Sequence, residues 1–425
     1  MHSGPVLLDP HGRRVTLADI RARAAQLAAL GDRPLTFLNA ATTLEAITDF
    51  LALRELRWPV FLMDPHWTDE QRQRLIERYQ PGLLLPGGPT GATTPTHPDL
   101  GVLLTTSGST GSPKLVRLSH ENVDANARQI AASLGLGPAD RGVTALPLHY
   151  SFGMSIVTSH AASGGSILVT DASLLDRGFW AQLDDAGVTL LPGVPQSYAI
   201  LKRISLPELP ALRGLLQAGG RLDPALIEIF AQQKPFYVMY GQTEAGPRMA
   251  CLPPNRLADK LGSVGQALPG GQFRIDDGEV VYRGPNVMMG YAEHVEDLIL
   301  PDMQGDELHT GDLGYLDDEG FLFLTGRLKR IVKLAGNRVA LDEVEALVPE
   351  LAPVAAVDGG DAGVVLFSEA EPSVFEGSRK RLARELRIPV ALVEVRGIEQ
   401  LPVMSSGKVD YERLARMTNS ARDAS

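Results

Sequence analysis

Apolar positions in the first third of the chain alternate between helix-period blocks and short strand-like runs. VTLADIRARAAQLAAL (15–30) spaces its apolar residues at helical intervals behind a candidate Thr16 cap. TLEAITDFLALREL (43–56) and TDEQRQRLIERY (68–79) repeat the pattern, while PLTFLN (34–39), PVFLMDP (59–65) and LLLPGG have the compact apolar form of buried strands. GGPTGATTPTHPD (87–99) is a connector rich in Pro, Gly and Thr. Further on, the pattern predicts a helix at 119–135 and a strand at 142–147, with LPLHYSFGM as a strand end entering a turn. GSILVT (165–170), GVTLLPGV (187–194), LRGLLQAGG (212–220) and KPFYVMYGQTE (234–244) are strands that end in glycine-rich or polar loops. Such strand–helix–strand repetition predicts a largely parallel sheet with sites at the strand ends.

Beyond Pro247 the strands shorten and turn residues multiply, as in GQFRIDDGEVVYRG and FLFLTGRLKRIVKL. The last hundred or so residues form a compact α+β pattern. Helices are expected near 341–349, 373–386 and 410–416, around strands near 353–357, 362–368 and 391–396. A boundary at Gly326 to Arg330 divides the chain into residues 1–328 and 329–425.

Length and charge narrow the class. A chain of 425 residues exceeds what one hydrophobic core usually covers, so two or three domains are expected. The 40 basic and 51 acidic residues give a net charge of -11, which disfavours nucleic acid and anionic membrane surfaces as partners. Cys251 is the sole cysteine, so neither an intramolecular disulfide nor a cysteine zinc cluster can form. The opening residues lack the basic start and apolar core of a signal peptide, and no run reaches the ~18 apolar residues of a membrane span. A cytoplasmic protein is expected.

The densest chemistry lies in LLTTSGSTGSPKLVRLSH (103–120). Gly108 and Gly111 free the backbone, Thr105, Thr106, Ser107, Ser109, Thr110 and Ser112 offer hydroxyls, and Lys114 adds a cation. A loop of this kind suits phosphate oxygens. It is not a Walker loop, whose glycines and lysine are spaced differently. Taken alone, these residues equally fit a mobile Gly/Ser surface loop.

Four further motifs follow in order: MYGQTEAG, ELHTGDLGYLDDEGF, TGRLKRIVKLAGNRVALDEVE and LPVMSSGKVDY. With TTSGSTGSPK they resemble the hallmark motifs of the adenylate-forming superfamily, which contains acyl- and aryl-CoA synthetases, nonribosomal peptide adenylation domains and firefly luciferase. The resemblance spans essentially the whole chain. It implies an α/β fold: a large N-terminal domain of layered α/β subdomains with a small β-rich part, and a small mobile α+β C-terminal domain.

The resemblance also assigns roles, and each has a physical basis. Thr106, Ser107, Gly108, Ser109, Thr110, Gly111 and Lys114 would grip the β- and γ-phosphates of ATP. Tyr240 and Gly241, with Gly219 and Gly220, would contact the rest of the nucleotide, the tyrosine through its aromatic face. Thr243 would donate to the α-phosphate, and Glu244 would hold Mg2+, a hard cation suited to carboxylate oxygen. Asp312 suits both ribose hydroxyls, and the donor fork of Arg327 suits ribose and phosphate oxygens. Outside the motif context a strand-end turn, an Asx-turn and a surface ion pair are the ordinary readings of these residues. Lys408, otherwise an ordinary solvated lysine, would enter from the small domain and offset the charge that builds as carboxylate and α-phosphate meet.

The implied reaction is attack of a carboxylate on the ATP α-phosphorus, giving an acyl-adenylate and pyrophosphate, followed by transfer to a thiol. Positioning and charge neutralisation carry the first step, and no general base is needed because a carboxylate is already ionised at neutral pH. The second step implies a rotation of the small domain about Lys329. The segment Lys333 to Arg338 then lines a thiol channel, and Gly336 leaves room for the pantetheine arm.

His149, Tyr150, Phe152, Gly193 and Gln242 are the candidate acid-pocket residues, within LPLHYSFGMS, LPGVPQSY, QAGG and MYGQ. Amino-acid-activating members place an aspartate in the region matching His149 to Ile156. None stands there, so a neutral fatty, aryl or short-chain acid is expected. HTGD and GRLKR resemble CoA-ligase versions, yet the phosphopantetheine of an acyl carrier protein presents the same thiol. Two other outcomes stay open: transfer to an amine or other non-thiol acceptor, and a non-catalytic nucleotide-binding module. Three departures are notable. Leu115 stands where most members have glycine, Tyr150 where CoA ligases commonly have histidine, and only about 100 residues precede the loop. The last implies a reduced N-terminal subdomain.

Overall fold

The computed structural model describes residues 6–105, 114–334, 337–360, 363–386, 388–404 and 409–420. The chain divides into two compact units. One runs to Phe273 and adds Tyr282–Leu308; the other takes Arg274–Val281 and the chain from His309 onward. The expected break after residue 328 falls inside the second unit. There strand Leu322–Arg327 is hydrogen-bonded to Glu307–Leu316, with Asp312 opposite Arg327 and Leu316 opposite Leu322, so the sheet carries the unit upstream of 329.

In the first unit the predicted alternation becomes a seven-stranded sheet. Its order is Gly290–Ala292, Leu115–Ser119, Leu100–Thr105, Val60–Met63, Thr36–Asn39, Leu83–Leu85 and Gly88–Pro89. The middle pairings are parallel, and the flanking ones are antiparallel. Helices begin where capping chemistry allows. Thr16, Thr68 and Ser119 cap Leu17–Ala28, Asp69–Tyr79 and His120–Leu134, and in each the N3 side chain (Asp19, Gln71 or Asn122) returns a bond to the cap backbone. A second sheet runs Leu190–Gly193, Gly214–Gln217, Phe236–Tyr240, Ala250–Leu252, Gln266–Ala267, with its first three strands parallel. A small third sheet joins Arg14–Val15, Leu7–Leu8, Ser166–Leu168 and Arg141–Val143.

Two segments differ from expectation. LVRLS (115–119) forms a strand antiparallel to Leu100–Thr105, where a direct passage from loop to helix was expected. HYSFGM does not end in a turn: Ser151–Ser163 is a helix, and Ser151 to Val157 are all buried. Burial on every side removes the amphipathic period that would mark a helix.

The second unit holds most of the sheet Gln272–Asp276, Glu279–Arg283, Glu307–Leu316, Leu322–Arg327. Its first hairpin turns on Asp277 and Gly278, both at positive φ (46° and 85°), the type I′ geometry that matches strand twist. Downstream, Ile331–Leu334 pairs with Asn337–Ala340, and Val354–Asp358, Val364–Ser368 and Val393–Gly397 form a three-stranded sheet. Helices Leu341–Ala346, Phe375–Glu385 and Tyr411–Ser420 complete it, close to the predicted α+β pattern. No helix among the described residues is long and apolar enough to cross a membrane.

Candidate functional site

Sheet topology gathers six of the candidate residues of the first unit. The carboxyl ends of three adjacent parallel strands place Gly193, the 218–220 turn and Tyr240–Gln242 along one edge, where ligands bind in open α/β sheets. Gln217 Nε2 donates to the Gly220 carbonyl at 2.7 Å, fixing the turn that contains Gly219. Tyr240 is buried, with its ring 6.3 Å from that of Phe273. At Gly241 a Cβ would lie 1.7 Å from the Pro247 carbonyl oxygen and 2.8 Å from the Arg248 Cα. Only glycine fits between these backbones.

The Thr243–Ala245 turn follows at once and is held from several directions. Glu244 O accepts from Met288 N at 2.9 Å, and Ala245 O accepts from Asn286 Nδ2 at 2.6 Å. Thr243 Oγ1 lies 3.2 Å from Ser151 Oγ, at the first turn of the helix Ser151–Ser163. That hydrogen bond joins the candidate phosphate turn to the candidate acid segment.

Thr106, Ser107, Gly108, Ser109, Thr110 and Gly111 lie outside the described residues, but both flanks of their loop are described. Thr105 pairs with Leu115, so the loop connects two hydrogen-bonded strands of the large sheet. Lys114 Nζ sits 2.6 Å from Glu293 Oε1 and 5.7 Å from the centre of the Tyr291 ring. Tyr291 belongs to the edge strand paired with Leu115–Ser119, and its hydroxyl donates to Glu244 Oε1 at 3.0 Å. Burial, and then the Glu244 carboxylate, raise the pKa of this phenol, so it stays a donor. Tyr291 therefore bridges the candidate phosphate cation and the candidate metal ligand. Neither Tyr291 nor Glu293 carries a sequence signal; only strand pairing brings them here. No cluster of three or more metal-ligating His, Cys, Asp or Glu side chains occurs among the described residues. A single carboxylate still suits Mg2+, which keeps waters and draws other ligands from phosphate.

The acid segment is apolar with an unusual charge at its base. Tyr150 and Phe152 are buried, their rings edge to face at 6.3 Å, and burial pushes the Tyr150 phenol up to about 12. His149 Nε2 is 3.4 Å from Asp64 Oδ2. Burial lowers the pKa of this imidazole, while Asp64 opposes the shift. Arg248, which no motif singles out, is buried with its guanidinium carbon 4.6 Å from the centre of the Phe152 ring.

Asp312 and Arg327 belong to the second unit, where they face each other across two antiparallel strands. Arg327 Nε lies 2.9 Å from Asp312 Oδ1; the carboxylate is buried and the arginine exposed. Lys329 falls in the 3₁₀ turn Leu328–Arg330. The next residue is anchored firmly: Arg330 pairs with Asp342 and Glu345, donates to the Ala356 carbonyl and stacks on Tyr411 at 4.0 Å. Gly336 and Lys408 lie outside the described residues.

Comparison with known proteins gives the family and the fold. The profile described as AMP-binding enzyme matches residues 33–292. A 2-succinylbenzoate–CoA ligase of Bacillus velezensis is 32% identical over 350 residues, covering 75% of this chain and 69% of the relative. The Bacillus cereus enzyme of the same name is 32% identical over 283 residues, 63% of this chain and 57% of its own. Among solved structures, o-succinylbenzoate CoA synthetase of Bacillus subtilis with its acyl-adenylate OSB-AMP aligns at TM-score 0.80 and 23% identity, covering 97% of this chain and 95% of that one. The same enzyme with ATP and magnesium aligns at TM-score 0.81 and 24% identity, covering 97% of each chain. These two likenesses establish the fold.

Proposed function

The chain belongs to the AMP-binding enzyme family, and from that membership we propose that it is an AMP-forming acid–CoA ligase acting on an aromatic carboxylic acid, with 2-succinylbenzoate the first acid to test. The observation that carries this reading is the Ser151–Thr243 hydrogen bond, which sets an apolar acid segment against the turn that faces the α-phosphate. The relatives named above are CoA ligases, which favours CoA over the thiol of a carrier protein. A cytoplasmic location fits a supply of ATP and CoA.

In the first step a carboxylate oxygen bonds to the α-phosphorus as the bond to the β-phosphate bridging oxygen breaks and pyrophosphate departs. Residues 106–111 and Lys114 hold the outer phosphates, Gly219, Gly220, Tyr240 and Gly241 bind the nucleoside side, and Thr243 donates to the α-phosphate. Glu244 would hold Mg2+, which would neutralise phosphate charge. Asp312 and Arg327 take the ribose, and Lys408 neutralises the meeting anions. His149, Tyr150, Phe152, Gly193 and Gln242 shape the acid pocket. In the second step the CoA sulfur bonds to the acyl carbon and AMP leaves, after residues 329–425 turn about Lys329 and Gly336 opens to the thiol arm.

The test is acid-dependent pyrophosphate release over a panel of aryl, fatty and amino acids, with product analysis in the presence of CoA, a holo carrier protein and amines. A CoA thioester with an aromatic acid is expected. Pyrophosphate release without any thioester would assign the acyl group to another acceptor, and no acid-dependent release would leave a binding module.

A further inference from the structure

Arg248 is a buried cation without an anionic partner among the described residues. Its side chain lies in a residue 1% exposed, and its backbone is fixed: the N–H donates to Asn126 Oδ1 at 3.3 Å, and the carbonyl accepts from Asn126 Nδ2 at 2.7 Å and Asn286 Nδ2 at 3.1 Å. Nη1 donates to Met239 Sδ at 3.2 Å, a weak acceptor. Nε and Nη2 have no hydrogen-bond partner among the described residues. Burial lowers the guanidinium pKa to about 9, so the group remains charged at neutral pH. Tyr150 and Cys251, the nearby groups that would favour that charge if ionised, are themselves pushed up to about 12 by burial and stay neutral.

A buried charge with unpaired donors is costly, and the usual remedies are pairing or replacement by an apolar side chain. Here the charge is kept among Phe152, Tyr150 and Met239, all within the segments read as the acid pocket. Its Cα also packs against Gly241, beside the phosphate turn. The free Nε and Nη2 form the side of a guanidinium fork that binds a carboxylate through two parallel hydrogen bonds. We infer that Arg248 is the receptor for a second carboxylate of the acid, so that the substrate is a dicarboxylic acid. One carboxylate is held by Nε and Nη2 beneath the Phe152 ring, and the other is presented to the Thr243 turn. The inference rests on the acid–CoA ligase reading above, and it names a specificity determinant that the neutral-acid expectation from sequence does not contain.

Matched acids test it. With ATP, Mg2+ and CoA, kcat/KM is measured for 2-succinylbenzoate, for 4-oxo-4-phenylbutanoate, which lacks the ring carboxylate, and for 2-butanoylbenzoate, which lacks the chain carboxylate. Phthalate and glutarate, with their monomethyl esters, extend the series. Wild-type enzyme is expected to prefer a free diacid over its mono-acid analogues by about 100-fold or more, the scale set by leaving a buried polar group unpaired. Arg248→Met should reduce that ratio to within a few-fold, and Arg248→Lys, which keeps the charge but not the fork, should fall between. Equal use of mono- and diacids by the wild type, or an equal loss on every acid in Arg248→Met, overturns the inference while the ligase reading stands. Where Arg248→Met does not fold, the wild-type ratio decides alone. Absence of any acid-dependent pyrophosphate release removes the ligase reading, and this inference with it.

Discussion

The Tyr291 hydroxyl donates to Glu244 Oε1 at 3.0 Å while the face of the same ring receives Lys114 Nζ at 5.7 Å. One side chain thus positions a carboxylate and a cation that come from motifs far apart in the sequence. Tyr291→Phe keeps the ring and removes only the donor. The Mg2+ concentration for half-maximal ATP–pyrophosphate exchange should rise about 10- to 100-fold, the worth of one hydrogen bond to a charged group. Thermal stability should change little, and an unchanged Mg2+ response would show that the bridge does not orient Glu244.

Leu115 is fully buried, packed in the cluster that contains Phe61, Leu103 and Met289. Its side chain is structural even though other family members place glycine there. Leu115→Gly should cost about 3–5 kcal/mol through the cavity and the loss of strand propensity. Urea denaturation reads this directly, and a midpoint equal to wild type would refute it.

Arg327 is exposed and paired with Asp312. Its partner carboxylate is buried, so Arg327→Ala removes a counter-charge from a desolvated anion and should lower the melting temperature, by less than loss of a fully buried pair because the arginine end is exposed. If the arginine serves ATP, half-saturation for ATP should rise about 10- to 100-fold, in line with charged hydrogen bonds. A wild-type ATP dependence would return Arg327 to an ordinary surface role.

His120 is fully buried, and its pKa is held down to about 3 by burial first and then by Arg54, whose Nη1 lies 2.9 Å from Nδ1. Below about pH 6.5 the unfolded chain binds a proton at this residue that the folded chain refuses. The unfolded state then holds more protons, so stability falls as pH drops from about 6.5, by up to about 1.4 kcal/mol per pH unit. His149 and His160, also lowered by burial, act in the same direction. Urea midpoints between pH 7.5 and 5 should decline, and His120→Gln should flatten that decline.

Lys408→Ala should slow acid-dependent ATP–pyrophosphate exchange by about 100-fold or more, as removal of a preorganised transition-state group does elsewhere. Its circular dichroism should match wild type. Exchange at the wild-type rate would assign the neutralising cation to another residue.

Much of this fold is legible in the sequence because local chemistry agrees with it. Thr16 and Thr68 announce their helices through side chains that cap them, and VFLM (60–63) is apolar throughout because its strand is buried throughout. The failures share a cause. The first two turns of the helix Ser151–Ser163 are enclosed and have no polar face to reveal its period, and LVRLS hides a strand because Arg117 is buried, bonding to the carbonyls of Met289, Leu300 and Pro301. Motif residues such as Glu244 can be named from the chain, but their partners cannot. Tyr291 and Arg248 matter through contacts made by pairing and packing, which one-dimensional spacing does not encode.

The steric lock at Gly241 bears on how this enzyme could be retargeted. A side chain there would strike the Pro247 carbonyl, so libraries aimed at new acids gain nothing from varying Gly241 and would lose folded protein. Diversity is better placed at position 248 and along the first turn of the helix Ser151–Ser163. There, exchanging the buried charge for an apolar residue would trade a diacid specialist for an enzyme of simpler acids.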